Sequence, residues 1–585
     1  RTPATLAALQ ALADGGYVAS DDAAPLADAY RFLRAVEHRL QLEEDLQVHA
    51  MPNQAAAVTH LARVLGYRDS PERTASDAFQ RVLRRHQSTV RSIHERLFFR
   101  PLLEAFTSGA QEHGAALSED AAADRLAAFG FSDAARTRQA VQELTRGMNR
   151  TSRLMEQLLP LLLGWLSEGP DPDLGLLGLR SLATGAHRRD QLSGLFRESA
   201  EAARQLCQLL ATSPAFARDL PRHPDLLTEL TDGSMLQPRT RPALDRQARL
   251  SVGWRSEDEV DEGLRHFVRG EQLQIAARDI LGQADLGATA GALTDLAESV
   301  LSVALDETSP TIPFTVIAMG RLGGGELSYA SDLDVLFVCE SGQTDEAERI
   351  AAELTRRVNG GTPAARLYQL DTDLRPEGRQ GPVVRSLDAY ATYYARWAQS
   401  WERQALLRGR TVAGDVDLAK RFEAVAAEFV WGRPFAEADV RELRRIKARV
   451  ERERLPAGED PQFHLKLGRG SLSDVEWTVQ LLQLRHGVRE TGTIAALDAL
   501  ERRGVLAAED GRALRDAYRF CEATRNRLYL VRGSPGDALP TAGHQLTVLA
   551  RSLGTTGSGL RDEYRRRTRR CRRVVERLFY GRGGA

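Results

Sequence analysis

The stretch that most restricts the fold runs from Met319 to Glu340. Gly320-Arg321-Leu322-Gly323-Gly324-Gly325 reads as a tight turn, because so many glycines are costly inside a helix or strand. Ser331-Asp332-Leu333-Asp334 then opens an apolar, β-branched run, Val335-Leu336-Phe337-Val338, with the pattern of a buried strand. Side chains alternate across a strand, so Asp332 and Asp334 point to the same side. Two carboxylates that close repel each other in an apolar setting unless a cation sits between them. The glycine turn in front offers backbone N–H groups that cradle phosphates. A carboxylate pair beside a phosphate cradle is the apparatus of metal-assisted nucleotidyl transfer.

That chemistry calls for a third carboxylate, with ions roughly 3.5–4 Å apart clamping the attacking and leaving oxygens. Strand signals cluster here: Phe314 to Met319, Leu333 to Val338 and Ala365 to Asp371 are short, β-rich and bounded by turn residues. Asp371 and Asp373 at the end of the third segment both qualify. They face the same way, and spacing does not choose between them.

Elsewhere the pattern is helical. Ala, Leu, Arg and Glu dominate, and apolar residues recur at helical spacing, for example over 79 to 107, 288 to 306, 344 to 358, 472 to 486 and 560 to 580. The two ends of the chain repeat each other. Ala29-Tyr30-Arg31-Phe32 matches Ala517-Tyr518-Arg519-Phe520, and the offset holds without a gap from Thr5/Thr493 to Gly66/Gly554. Roughly two in five positions are identical, more than shared helical composition produces. Glu95-Arg96-Leu97-Phe98-Phe99 then matches Glu576-Arg577-Leu578-Phe579-Tyr580. The expectation is a duplicated module in which only the tail of copy one precedes a complete copy two.

Composition narrows the class. The 585 residues are 42% hydrophobic and 27% charged with a net charge of −1, so no overall basic field favours nucleic acid. Cys207, Cys339, Cys521 and Cys571 lack zinc or redox-pair spacing, and the longest apolar run contains Pro160 and is too short to span a bilayer. A reduced, cytoplasmic setting without membrane attachment is expected.

Three further blocks accompany the turn and strand: Leu370-Asp371-Thr372-Asp373-Leu374-Arg375-Pro376, Trp401-Glu402-Arg403-Gln404-Ala405-Leu406, and Lys466-Leu467-Gly468-Arg469-Gly470-Ser471-Leu472-Ser473-Asp474-Val475-Glu476-Trp477. Together and in this order they resemble the glutamine synthetase adenylyltransferase family over essentially the whole chain. The resemblance selects Asp371 as the third carboxylate and implies the second, adenylylating half of a duplicated enzyme. The fold it implies is mainly α with a small α+β, polymerase-β-like nucleotidyltransferase core, a mixed sheet flanked by helices and followed by a helical-bundle tail. The expected divisions are 1–107 (tail of the preceding adenylyl-removing module), 108–270 (helical linker and regulatory region), 271–395 (core) and 396–585 (C-terminal helical domain).

The implied reaction moves AMP from ATP to a tyrosine hydroxyl of glutamine synthetase. Asp332, Asp334 and Asp371 are expected to hold two Mg²⁺ ions. Gly320, Gly323, Gly324 and Gly325 are expected to bring backbone to the phosphates, with Ser331, Arg321 and Arg375 adding a hydrogen bond and positive charge. Ser331 has a competing reading as a turn cap. Lys466, Asp474 and Glu476 read as residues that fix a helix start, with nucleotide contact as the alternative. A PII-type signalling protein and glutamine are the implied regulatory partners.

Overall fold

The computed structural model describes residues 4–44, 51, 55–69, 74–94, 119–145, 150–184, 186–253, 257–453 and 460–582. The chain forms two compact units, Arg1–Ser167 and Glu168–Ala585. The expected boundary at 107/108 and the Glu95–Phe99 segment of the repeat lie outside the described residues.

The first unit is helical among its described residues. Thr5–Asp14, Ser20–Glu44, Ala55–Val64 and Ala75–His94 follow one another, and Val36, Leu40, Leu61, Ala62 and Phe79 from the last three form a core. The second unit ends on an equivalent succession, Thr493–Arg502, Ala508–Arg532, His544–Ser552 and Gly557–Leu578. Equal spacing of apolar residues has given equal helix order at the two ends.

The second unit contains the sheet. Its strands are β1 (Phe314–Ala318), β2 (Leu333–Cys339), β3 (Leu370–Asp371), β4 (Val384–Ser386) and β5 (Arg410–Gly414). The order is β3-β2-β1-β5, with β4 also pairing β2. The β1/β2 and β1/β5 pairs are antiparallel, whereas β3 and β4 run parallel to successive halves of β2. The sheet is therefore mixed and small, in a molecule that is mainly helical.

Both faces of the sheet are buried, which explains why β2 is continuously apolar rather than alternating. Val335 and Phe337 join Phe314 and Val316 against the helices Leu286–Asp306 and Thr344–Asn359. Leu336 and Val338 face the other way, into a core that includes Tyr390 and Phe422 and continues through the C-terminal helices to Phe579. The helix Leu286–Asp306 is long and apolar enough to cross a membrane by length and composition, but 67% of its most apolar window is buried in this core.

Three expectations change. The third strand is only Leu370–Asp371, because Leu367 and Tyr368 donate backbone N–H groups back to the carbonyl of Val358 at the end of the preceding helix. The short β4 and β5 were not anticipated, although Thr411-Val412 between Gly409 and Gly414 carried a strand signal. Since β5 pairs with β1, the boundary expected at 395/396 cuts the sheet. The boundary expected at 270/271 falls inside the helix Glu257–Ile280, whose buried Val260, Leu264, Phe267, Val268 and Ile275 continue through it.

Phe337 is fully buried and lies 5.6 Å from Phe314, centroid to centroid. Truncation to Ala should lower unfolding stability by about 3–5 kcal/mol, read from denaturant titration of the second unit's transition.

Candidate functional site

The site grows from the β2/β3 register. Asp334 pairs with Asp371 on adjacent parallel strands, which places both side chains on one face of the sheet. The ladder opens with the Leu333 N–H donating to the Gln369 carbonyl at 2.8 Å, and Asp332 precedes it by one residue. Asp332 is exposed at the rim, while Asp334 and Asp371 are half-buried. Burial pushes the Asp334 carboxyl up to about 6, the charge of Asp371 pushes the same way, and Lys466 opposes both. The Asp332 carboxyl is also raised, by burial and by Asp371, against the pull of Lys466, Arg525 and Arg366.

Asp371 and Asp373 differ in their partners. Asp373 turns outward to Arg379, 2.7 Å away. Asp371 is the residue whose charge is felt at Asp332 and Asp334. The trio is not closed as a ligand cage: among the described residues no three acidic, His or Cys side chains stand ready to hold one ion. One Asp371 oxygen instead accepts the Asp373 N–H at 2.7 Å. As a donor set, three carboxylates suit a hard divalent cation such as Mg²⁺, and cation binding would offset the burial and the like charge that together raise two of them.

The glycine turn has a different role from the one expected. Gly320 has φ 53°, and a Cβ there would stand 2.0 Å from an Asp334 carboxylate oxygen. Its lack of a side chain lets the backbone back directly onto the carboxylate. A Cβ at Gly323 would meet the Arg408 carbonyl at 1.8 Å. The N–H groups of Gly323, Gly324 and Gly325 donate to the carbonyls of Met319, Gly320 and Leu322 at 2.8, 3.1 and 3.1 Å. They close a helical turn and are not available to cradle phosphates in this arrangement.

The expected charged helpers are also committed elsewhere. Arg321 is buried against Glu522 at 2.6 Å and Glu476 at 3.7 Å, and its Nε donates to the Glu326 carbonyl. Burial alone would lower its pKa, but Glu522 and its neighbours hold it well above the usual arginine value. Arg375 donates to the carbonyls of Thr372, Arg379 and Gly381 and so ties its own loop together. The Ser331 hydroxyl lies 2.9 Å from that of Ser328 and accepts the Ser328 N–H at 3.0 Å, which is the turn-capping alternative.

The third block divides likewise. Asp474 is buried between Lys447 and Arg572, each at 2.8 Å, and Glu476 pairs with Arg321 and Arg408. Both are structural. Glu402 accepts the Gln399 N–H at 2.7 Å and caps its helix. Lys466 is exposed, and its positive charge acts to lower the Asp332 and Asp334 carboxyls against the larger effect of their burial.

Comparison with known proteins finds matches over the sheet and over both helical ends. A glutamate-ammonia ligase adenylyltransferase family model matches residues 203–425, which include every strand of the sheet and all three carboxylates. A PII-uridylyltransferase model matches residues 1–98 and 442–581, which contain the two stretches that repeat each other. Proteins named bifunctional glutamine synthetase adenylyltransferase/adenylyl-removing enzyme are similar over nearly the whole chain. Those of Streptomyces coelicolor, Mycolicibacterium smegmatis and Mycobacterium tuberculosis are 41%, 40% and 38% identical over 98%, 99% and 99% of it. Over its matched length the chain is similar to the glutamine synthetase adenylyltransferase family. It spans 61% of the length of each of these three relatives.

Two outcomes test the electrostatics of this site. Because the folded Asp334 carboxyl is raised above its ordinary 3.8 to about 6, its ionised form costs stability. Asp334→Asn should therefore unfold at a higher temperature than the parent above about pH 6 without divalent cation, and lose that advantage below the ordinary value. Arg321→Met, which leaves buried Glu522 without its partner, should cost about 3–5 kcal/mol in denaturant titration, with part recovered by adding Glu522→Gln.

Proposed function

We propose that the chain transfers AMP from ATP to a tyrosine hydroxyl of glutamine synthetase, at Asp332, Asp334 and Asp371. The observation that carries this reading is the parallel register that sets Asp371 beside Asp334, one face of a sheet gathering three carboxylates that repel each other. The names of the relatives support the substrate, and the adenylyltransferase match over the sheet supports AMP as the group moved. The core is read as polymerase-β-like, and the C-terminal helices as the tail domain that accompanies it. The four-helix succession of the first unit is read as a second copy of that tail.

Asp332 and Asp334 would hold two Mg²⁺ ions and Asp371 would complete the catalytic one; bound there, they would supply Lewis-acid activation of the tyrosine hydroxyl and charge neutralisation of the triphosphate. The protein's own part is positional. Gly320 fixes Asp334 from behind, and the two buried faces of the sheet hold β2 against β3. An unassisted tyrosine hydroxyl has a pKa of about 10, so the protein must orient it and favour its loss of a proton. Protonation of Asp334 competes with cation binding, so Mg²⁺ affinity should fall as the pH drops below about 6. Regulation by a PII-type protein and by glutamine is assigned to the helical regions outside the sheet, in keeping with the PII-uridylyltransferase match at both tails.

The test is incorporation of label from ATP into purified glutamine synthetase. Label should appear with Mg²⁺, vanish with chelator and be absent when UTP replaces ATP. Asp332→Asn, Asp334→Asn and Asp371→Asn should each lower the rate at least ~100-fold, since a lost metal ligand removes several kcal/mol of transition-state stabilisation. Asp373→Asn, altering the Arg379 pair and a longer 3.9 Å contact with Arg375, should stay within about threefold of the parent. Equal labelling from UTP, or full activity in Asp371→Asn, would overturn the reading.

A further inference from the structure

One face of the helix Ala508–Arg532 follows the chain that leads into the carboxylates. Tyr518, Glu522, Arg525 and Tyr529 recur at helical spacing and line that face. Glu522 meets Arg321 at 2.6 Å, and the Tyr518 hydroxyl donates to Glu326 at 2.9 Å. Arg525 donates to the Ser328 hydroxyl at 2.6 Å, and the Tyr529 ring stacks on that of Tyr329 with centroids 5.8 Å apart. Together they hold the chain from the glycine turn to Tyr329, shortly before Asp332.

A helix of this kind does not need these charges for its own fold. In the repeat at the other end of the chain, the helix Ser20–Glu44 keeps Tyr30 where Tyr518 stands, but carries Arg34, Glu37 and Gln41 in place of Glu522, Arg525 and Tyr529. The two charges are exchanged, and Arg34 and Glu37 pair with each other along their own helix. Glu522 and Arg525 turn to the core instead. Arg525 and Ser328 are both buried. The guanidinium pairs with Asp537 through Nε and reaches Ser328 through Nη1. The Ser328 hydroxyl, accepting from Arg525, is bonded in turn to that of Ser331 at 2.9 Å. Two backbone bonds close the same turn: the Ser328 N–H donates to the Ser331 hydroxyl at 3.0 Å, and the Ser331 N–H to the Ser328 carbonyl at 3.1 Å. Ser331 is the covalent neighbour of Asp332.

We propose that Arg525 is a positioning residue for the metal site, holding Ser328 and through it Ser331 so that Asp332 stands beside Asp334 and Asp371. This rests on the metal-assisted transfer reading of the three carboxylates. Asp332 precedes the ladder that aligns Asp334 with Asp371, so its place is set by the segment in front of it. A hydrogen-bonded partner behind a ligand governs metal affinity by fixing that ligand's orientation. The C-terminal helices thereby set the geometry of a site to which they give no ligand.

The test is Mn²⁺ binding to the full chain, followed by electron paramagnetic resonance of the free ion, with Asp334→Asn marking the binding that belongs to the carboxylates. Arg525→Ala and the uncharged change Ser328→Ala should each raise the dissociation constant for that binding at least ~10-fold. The double variant should lie within about twofold of the weaker single, because the two residues act along one path. Arg525→Lys, which keeps a donor, should recover part of the affinity. Ser328→Ala decides the matter should Arg525→Ala fail to fold. An arginine acting only as a nearby positive charge has the opposite sign: its removal would tighten Mn²⁺ binding and Ser328→Ala would change nothing, which would overturn the assignment. Lower melting temperatures with an unchanged dissociation constant would overturn it as well, since a purely structural strut predicts that result. A parent chain in which Asp334→Asn removes no Mn²⁺ binding would sink the metal reading and this assignment with it.

Discussion

The site depends on one pairing: the parallel register that brings Asp371 of β3 alongside Asp334 of β2. Burying a carboxylate is unfavourable and a like charge beside it adds to the cost; the raised Asp334 carboxyl expresses burial first and Asp371 second. The arrangement persists because the surroundings overdetermine it. Apolar side chains from both faces of the sheet fix β2, and Gly320 admits the Asp334 carboxylate so closely that any side chain there would collide. Stability elsewhere holds in place a local arrangement that a bound cation would relieve.

Around that pairing the arginines serve as struts. Arg321 and Arg408, with Glu326, Glu476 and Glu522, form a buried network that joins the glycine turn to the helices beginning at Leu472 and Ala508. Tyr518 and Thr493 complete it by donating to Glu326. Core and C-terminal helices are therefore coupled through charge as well as apolar packing, and the turn cannot shift without disturbing the network.

Much of this was legible in the sequence for stated reasons. Strict helical spacing located Leu472–His486 and Thr344–Asn359 almost to the residue, and a β-branched run bounded by turns located β1 and β2. The side-chain alternation that puts Asp332 and Asp334 together needs only strand geometry. The roles of Gly323, Arg321, Arg375 and Ser331 were not legible, because each depends on a tertiary partner. A glycine kept for close approach looks the same in sequence as one kept for a phosphate, and only the Arg408 carbonyl against Gly323 tells them apart. Arg321 is adjacent to the turn in sequence, but its counter-charges come from helices far along the chain. Strands as short as β4 have too few residues to carry a pattern.

The most direct measurement is anomalous diffraction from crystals soaked in Mn²⁺ with a non-hydrolysable ATP analogue. The expected result is anomalous density at about 2.1–2.2 Å from carboxylate oxygens of Asp332, Asp334 and Asp371, with the analogue's phosphates on the far side of the ions. Ions bound elsewhere, or ions on Asp332 and Asp334 with Asp371 still held by the Asp373 N–H, would contradict the account.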